Sequence, residues 1–137
     1  MKIAVPGSAF PRMQSSSGYG GSGSGAASSW KYAMRVATTA AITLATGLEN
    51  GDTIDGVTLA TGDRVLVKDQ AAGAENGIYE VNASGAPDRA PDFDAGTEVM
   101  GAWVYVIAGT TNAATVWYNT NTTTPTIGTT ALTFAQF

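Results

Sequence analysis

TIDGVTLATGDRVLVKDQAAGAENGIYEV, residues 53–81, decides the fold. Ile54-Asp55-Gly56-Val57 places Asp-Gly between apolar residues, the strongest short-range signal for a β-hairpin. Residues 64–68 alternate, with Val65 and Val67 on one face and Arg64, Leu66 and Lys68 on the other. Asn76-Gly77 reads as a second turn and leads into a strand over 78–81. Both glycines are expected at positive φ, because they lack the Cβ that clashes there. Three short strands with turn chemistry between them predict an all-β domain.

The pattern continues on both sides. Residues 32–38 are β-rich but also compatible with a helix, and 42–44 form a short apolar segment. The strongest strand signal is 99–108. Trp103, Tyr105 and Ile107 share one face and Val104 and Val106 the other, which predicts a central strand covered on both sides. Residues 116–119 and 132–137 complete the set, and Pro125 belongs in a turn or on an edge. Strands about ten residues apart predict a small antiparallel sandwich or barrel. The expected core is Val36, Ile54, Val57, Leu59, Val65, Val67, Ile78, Val81, Val104, Val106 and Phe134.

Residues 1–30 differ in kind. Two prolines and a few apolar residues precede SSSGYGGSGSGAASS, a Gly/Ser linker by composition. Such a stretch cannot repay its own ordering entropy, so it is expected to be an extended arm ordered by a partner. Its candidate docking residues are Lys2, Ile3, Val5, Phe10, Arg12, Met13 and Tyr19. The compact domain is expected over 31–137.

Composition limits the chemistry. The chain has no Cys and no His, which removes disulfides, thiolate sites, the commonest general base and the commonest metal ligand. The serines cluster in the linker, apart from Ser84. Glu75 with Asp88, Asp92 or Asp94 offers the carboxylate pairs a glycosidase needs, but acids in turns more often cap their own backbone. Asp88, Asp92, Asp94 and Glu98 could supply oxygens to Ca²⁺, although without EF-hand spacing. No catalytic residue, metal ligand or cofactor site is expected. No apolar run reaches the length of a membrane span, and no signal peptide is read.

Charge is uneven. Residues 1–48 hold Lys2, Arg12, Lys31 and Arg35 and no acid, whereas all eleven acids lie beyond them. That balance speaks against nucleic-acid binding. No charged side chain occurs in the 39 residues from Val99 to Phe137. Such a stretch is either core strands and Thr-rich turns or a subunit contact, since interface cores lose charge and gain aromatics. Trp103, Trp117 and Tyr118 are the candidate contacts, to a glycan or to another subunit. Adjacent positions on a strand face opposite ways, so one ring of the Trp117-Tyr118 pair should point outward.

MRVATTAAITL at 34–44, TIDGVTLATGDRVLVKDQ at 53–70, ENGIYEV at 75–81, DRAPDFD at 88–94, GAWVYVIAGTTNAATVW at 101–117 and IGTTALTFAQF at 127–137 follow a recognisable order and spacing. Together they resemble a module of tailed-bacteriophage virion proteins, mainly tail fibres and other tail-associated structural proteins. The resemblance covers residues 34–137. It implies a virion location after synthesis in the host cytoplasm, with capsid, collar or tail proteins as partners. It also implies a homo-oligomer, a trimer, without enzymatic activity. A short tail-fibre or decoration subunit is the first reading. A module that recognises host-surface glycan, gaining avidity from many copies, is the second.

Overall fold

A computed structural model describes residues 29–137. The docking residues expected between Lys2 and Tyr19 lie outside that range. The elements run β1 (Val36–Ala37), β2 (Thr53–Ile54), β3 (Val57–Thr58), β4 (Arg64–Val67), a 3-10 turn (Gly73–Glu75), β5 (Gly77–Glu80), β6 (Asp88–Arg89), α1 (Gly96–Val99), β7 (Trp103–Val106), β8 (Thr115–Asn119) and β9 (Phe134–Gln136). They form a sheet of order β1-β4-β5-β6, a β2-β3 hairpin and a sheet of order β7-β8-β9. Every pairing between strands is antiparallel except β1 with β4. The all-β architecture expected from the alternation is the one observed.

The middle layer is the four-stranded sheet. Leu66 and Ile78 on one of its faces join Val104, Val106, Phe93 and Leu132 in one buried cluster, so the β7-β8-β9 sheet lies on that side. Val65, Val67 and Tyr79 on the other face join Ile54, Leu59 and Leu48, so the hairpin covers that side. Segment 29–35 ties the sheets together. Trp103 donates its N–H to Ser29 O at 2.7 Å, and Met34 donates to Tyr105 O at 2.8 Å. One residue further on, Arg35 donates to Arg64 O at 2.7 Å, so the chain passes from the edge of β7 to the edge of β4.

The Asp-Gly hairpin forms as expected. Ile54 pairs with Val57, and Asp55 and Gly56 have φ of 47° and 80°, the signs a type I′ turn requires. Nine of the eleven expected core residues are buried. Val57 and Phe134 are half-buried, each packed at the margin of a cluster.

Three expectations need correction. The strand covered on both faces is β4, where Val65, Leu66 and Val67 are all fully buried. On β7 only the Val104 and Val106 face is covered, while Tyr105 and Ile107 are 42% and 53% exposed. The strand signal over 99–108 also begins too early. Val99 ends α1, whose first turn is held by Glu98 accepting the N–H groups of Asp94 and Ala95. Finally, Asn76-Gly77 is not a two-residue hairpin turn. Gly77 has φ of 150°, but Asn76 is extended and Gly77 already pairs with Val67 as the first residue of β5. The β4–β5 connection is longer and contains the 3-10 turn.

Candidate functional site

The acids and amides of the motif phrases hold loops in place. The Asp55 carboxylate accepts the backbone N–H groups of Thr111 and Asn112 at 2.9 and 2.8 Å, tying the hairpin turn to the β7–β8 loop. Burial raises its pKa, but these hydrogen bonds outweigh that effect and leave it below the ordinary carboxylate value. Asn112, buried, donates in turn to Ala37 O and Thr38 O. Asp69 accepts Thr38 Oγ1 at 2.8 Å, and Lys68 donates its N–H to the same hydroxyl. Asp52 and Asp63 accept N–H groups three residues upstream, from Glu49 and Ala60. Asn76 is buried, accepting from Gln70 N and donating to Leu132 O, both at 3.0 Å.

The acids considered for glycoside hydrolysis or Ca²⁺ do not converge. Asp92 accepts from Arg64 Nη2 at 2.9 and 3.0 Å, and Glu98 turns back onto α1. Asp88 accepts from Asn82 Nδ2, and Glu75 accepts from Gln70 Nε2. Among the described residues no group of three or more acids is arranged to hold a metal ion.

Among the described residues, two surface features bear on function. The first is a shallow cleft of about 280 Å³ lined by Tyr32, Arg64, Glu80, Pro91 and Asp92. Arg64 pairs there with Asp92 through Nη2 and with Glu80 through Nη1 at 3.3 Å, its buried Nε is left without a hydrogen-bond partner, and its guanidinium lies 5.8 Å from the Tyr32 ring centre. Lys31 is nearby electrostatically. Burial pushes its ammonium below the ordinary value, while Asp92 and Glu98 pull it back up and Arg64 pushes it down. This cluster of opposite charges was not legible in the sequence, since its members are scattered from 31 to 98.

The second feature is the outer face of the β7-β8-β9 sheet. Trp103 is its hub. Register places Trp103 opposite Tyr118, and their rings stack at 4.9 Å with an interplanar angle of 24°. Phe137 meets Trp103 edge-on at 5.2 Å, and Trp30 lies 5.8 Å away on the other side. Tyr105 and Ile107 continue the face along β7, and Val116 stands opposite Tyr105 on β8. Such offset and edge contacts fix the rings in place, each adding about 0.5–1.5 kcal/mol beyond the area they bury.

Of the sequence-derived contact residues, Trp103 and Tyr118 lie together on this face. Trp117 does not. It stands opposite Val104 and packs against the core, with Lys68 Nζ 4.3 Å from its ring centre and its Nε1 donating to Thr115 Oγ1 at 2.8 Å. The expectation that one ring of the pair points outward is met by Tyr118. Ile107 belongs to the face, which was expected to be covered, because an apolar residue on an alternating strand looks the same whether or not another layer covers it. The chain matches no family model, no curated protein and no solved structure.

Proposed function

We propose that this chain is a non-enzymatic structural subunit of a tailed-phage particle, a short tail-fibre or decoration protein that displays a β-domain. The observation that carries the reading is how the motif residues are used. Asp55, Asn112, Asp69, Asn76 and Asp63 all bind backbone or framework hydroxyl groups. A motif made of framework contacts specifies a shape, and the function then resides in a surface. The surface available is the uncharged aromatic face around Trp103. The resemblance to virion modules supplies the setting, and with it the partners: capsid, collar or tail proteins and further copies of the chain, a trimer by analogy.

The test is the composition and structure of purified particles. Mass spectrometry should find the chain in gradient-purified virions at a fixed stoichiometry. Cryo-EM should then place the domain on the particle surface. A chain made during infection yet missing from washed particles would refute the reading.

A second reading keeps one observation in its favour. Trp103 is only half-buried, and Tyr105 and Tyr118 extend an aromatic platform of the kind that stacks on sugar rings. In this reading the same domain recognises a host-surface glycan. Glycan-array binding that is lost in Tyr105→Ala but kept in Thr58→Ala would favour it.

A further inference from the structure

The outer face of the β7-β8-β9 sheet has three properties that together specify an occupant. It is apolar and exposed, with Tyr105 at 42%, Ile107 at 53% and Phe137 at 82%. These exposures leave on the order of 400 Å² of uncharged, largely apolar surface, within the range of the largest patch on a monomer, a patch that is often functional. That is about half of what one partner contributes to a standard interface, and the neighbouring Thr-rich loops can supply the rim.

The face also carries no charged side chain, on a molecule that is otherwise acidic. From Lys31 onward the chain has five cations and eleven acids, and all of them precede Val99. Two copies approaching through their acidic surfaces repel each other. Through this face they meet no like-charged side chain. A basic partner would be drawn to residues 49–98 instead, where the acids are.

The third property is the sheet edge. Among the described residues β9 is the outermost strand. It bonds to β8 through Thr133 O and Phe137 N, so the backbone groups of Phe134 and Gln136 point away from β8. Folded proteins protect such edges with charges, Pro or bulges. Leu132-Thr133-Phe134-Ala135-Gln136-Phe137 has no charged side chain and no Pro. A bare edge that continues into an apolar face needs a cover of matching character.

We infer that a second copy of this chain seats on the Trp103 face, with β9 at the margin of the contact. The inference deepens the proposed function, resting on its reading of this face as a contact surface. It does not require the virion setting.

The experiment is sedimentation of the full chain from low to high micromolar concentration, with hydroxyl-radical footprinting of Tyr105 and Phe137 at each step. The expected result is a mass that rises to an integral multiple of the monomer, with both residues becoming protected in parallel. Tyr105→Lys with Ile107→Lys should weaken association by about tenfold or more, because like charges would face each other. Ala83→Lys, on an exposed loop, should not. Circular dichroism checks that the variants fold, and the wild-type footprint decides the matter even if they do not. A monomer with both residues reactive throughout overturns the inference. So does an association that leaves them reactive. A monomer in which both are protected would put residues 1–28 of the same chain on the face, and that also overturns it. None of these outcomes removes the chain from particles, so the virion reading fails or stands separately.

Discussion

Asn76→Ala should be among the most damaging single substitutions in the domain. Asn76 is 6% exposed and joins two loops that are distant in sequence. Its Nδ2 donates to Leu132 O in a buried bond, and its Oδ1 accepts Gln70 N in a partly buried one. Alanine leaves the Leu132 carbonyl and the Gln70 N–H without these partners. An unsatisfied buried group costs about 1–3 kcal/mol, and the Gln70 side of the joint is wetter, so the sum is roughly 2–4 kcal/mol. Against a total stability of about 5–15 kcal/mol, that is a large share. With a urea slope of about 1–3 kcal/mol/M, the unfolding midpoint should fall by roughly 0.7–4 M. Asn76→Asp keeps the size and the acceptor but turns a carboxylate toward the Leu132 carbonyl, so it should be no better than alanine. Asn82→Ala, whose bonds are exposed, should shift stability by about 0.5 kcal/mol or less. If Asn76→Asp unfolds at the wild-type urea concentration, the joint does not hold these loops and the reasoning is wrong.

Leu66→Ala should cost about 2–5 kcal/mol, and Val104→Ala about 1–3 kcal/mol, both read by equilibrium urea unfolding. Gly56→Val should destabilise the domain, because φ is 80° there and the new Cβ would lie 2.6 Å from Thr110 Oγ1; a melting temperature within a degree or so of wild type would count against the turn assignment. The Asp55 carboxylate has a lowered folded-state pKa, so its contribution is complete above its unfolded value near 4 and is lost as pH falls through the folded value. The stability difference between wild type and Asp55→Asn should therefore shrink on acidification below about pH 4. A difference that stays constant from neutral pH to pH 2 would show that Asp55 does not act as a charged acceptor.

The legible parts of the fold are the local ones. Asp55-Gly56 specifies its turn within four residues, and the alternation of Val65 and Val67 gives their common face. The hidden parts depend on partners far along the chain. Asn76 reads as a turn former, but its main partner, Leu132, is 56 positions away. β4 is flanked by Arg64 and Lys68, which made it look half-exposed, yet Asp92 and Asp69 neutralise those cations at its margins. β7 has more apolar residues than β4 and looked like the doubly covered strand. Its outer face is open because the third layer, the β2-β3 hairpin, lies on the far side of the middle sheet. Hydrophobic pattern gives the period of a strand, and topology decides which face receives a cover. For the same reason, the aromatic content of the site was visible while its membership was not: Tyr118 joined Trp103, and Trp117 turned inward.

The central claim is that the Trp103 face is a contact surface used on a particle. A cryo-EM map of the parent virion, at a resolution that shows side chains, tests it most directly. The account predicts the domain at symmetry-related positions, with Tyr105, Ile107 and Phe137 buried against a neighbouring copy. A domain bound to the particle as isolated single copies, with those three side chains facing solvent, would contradict it.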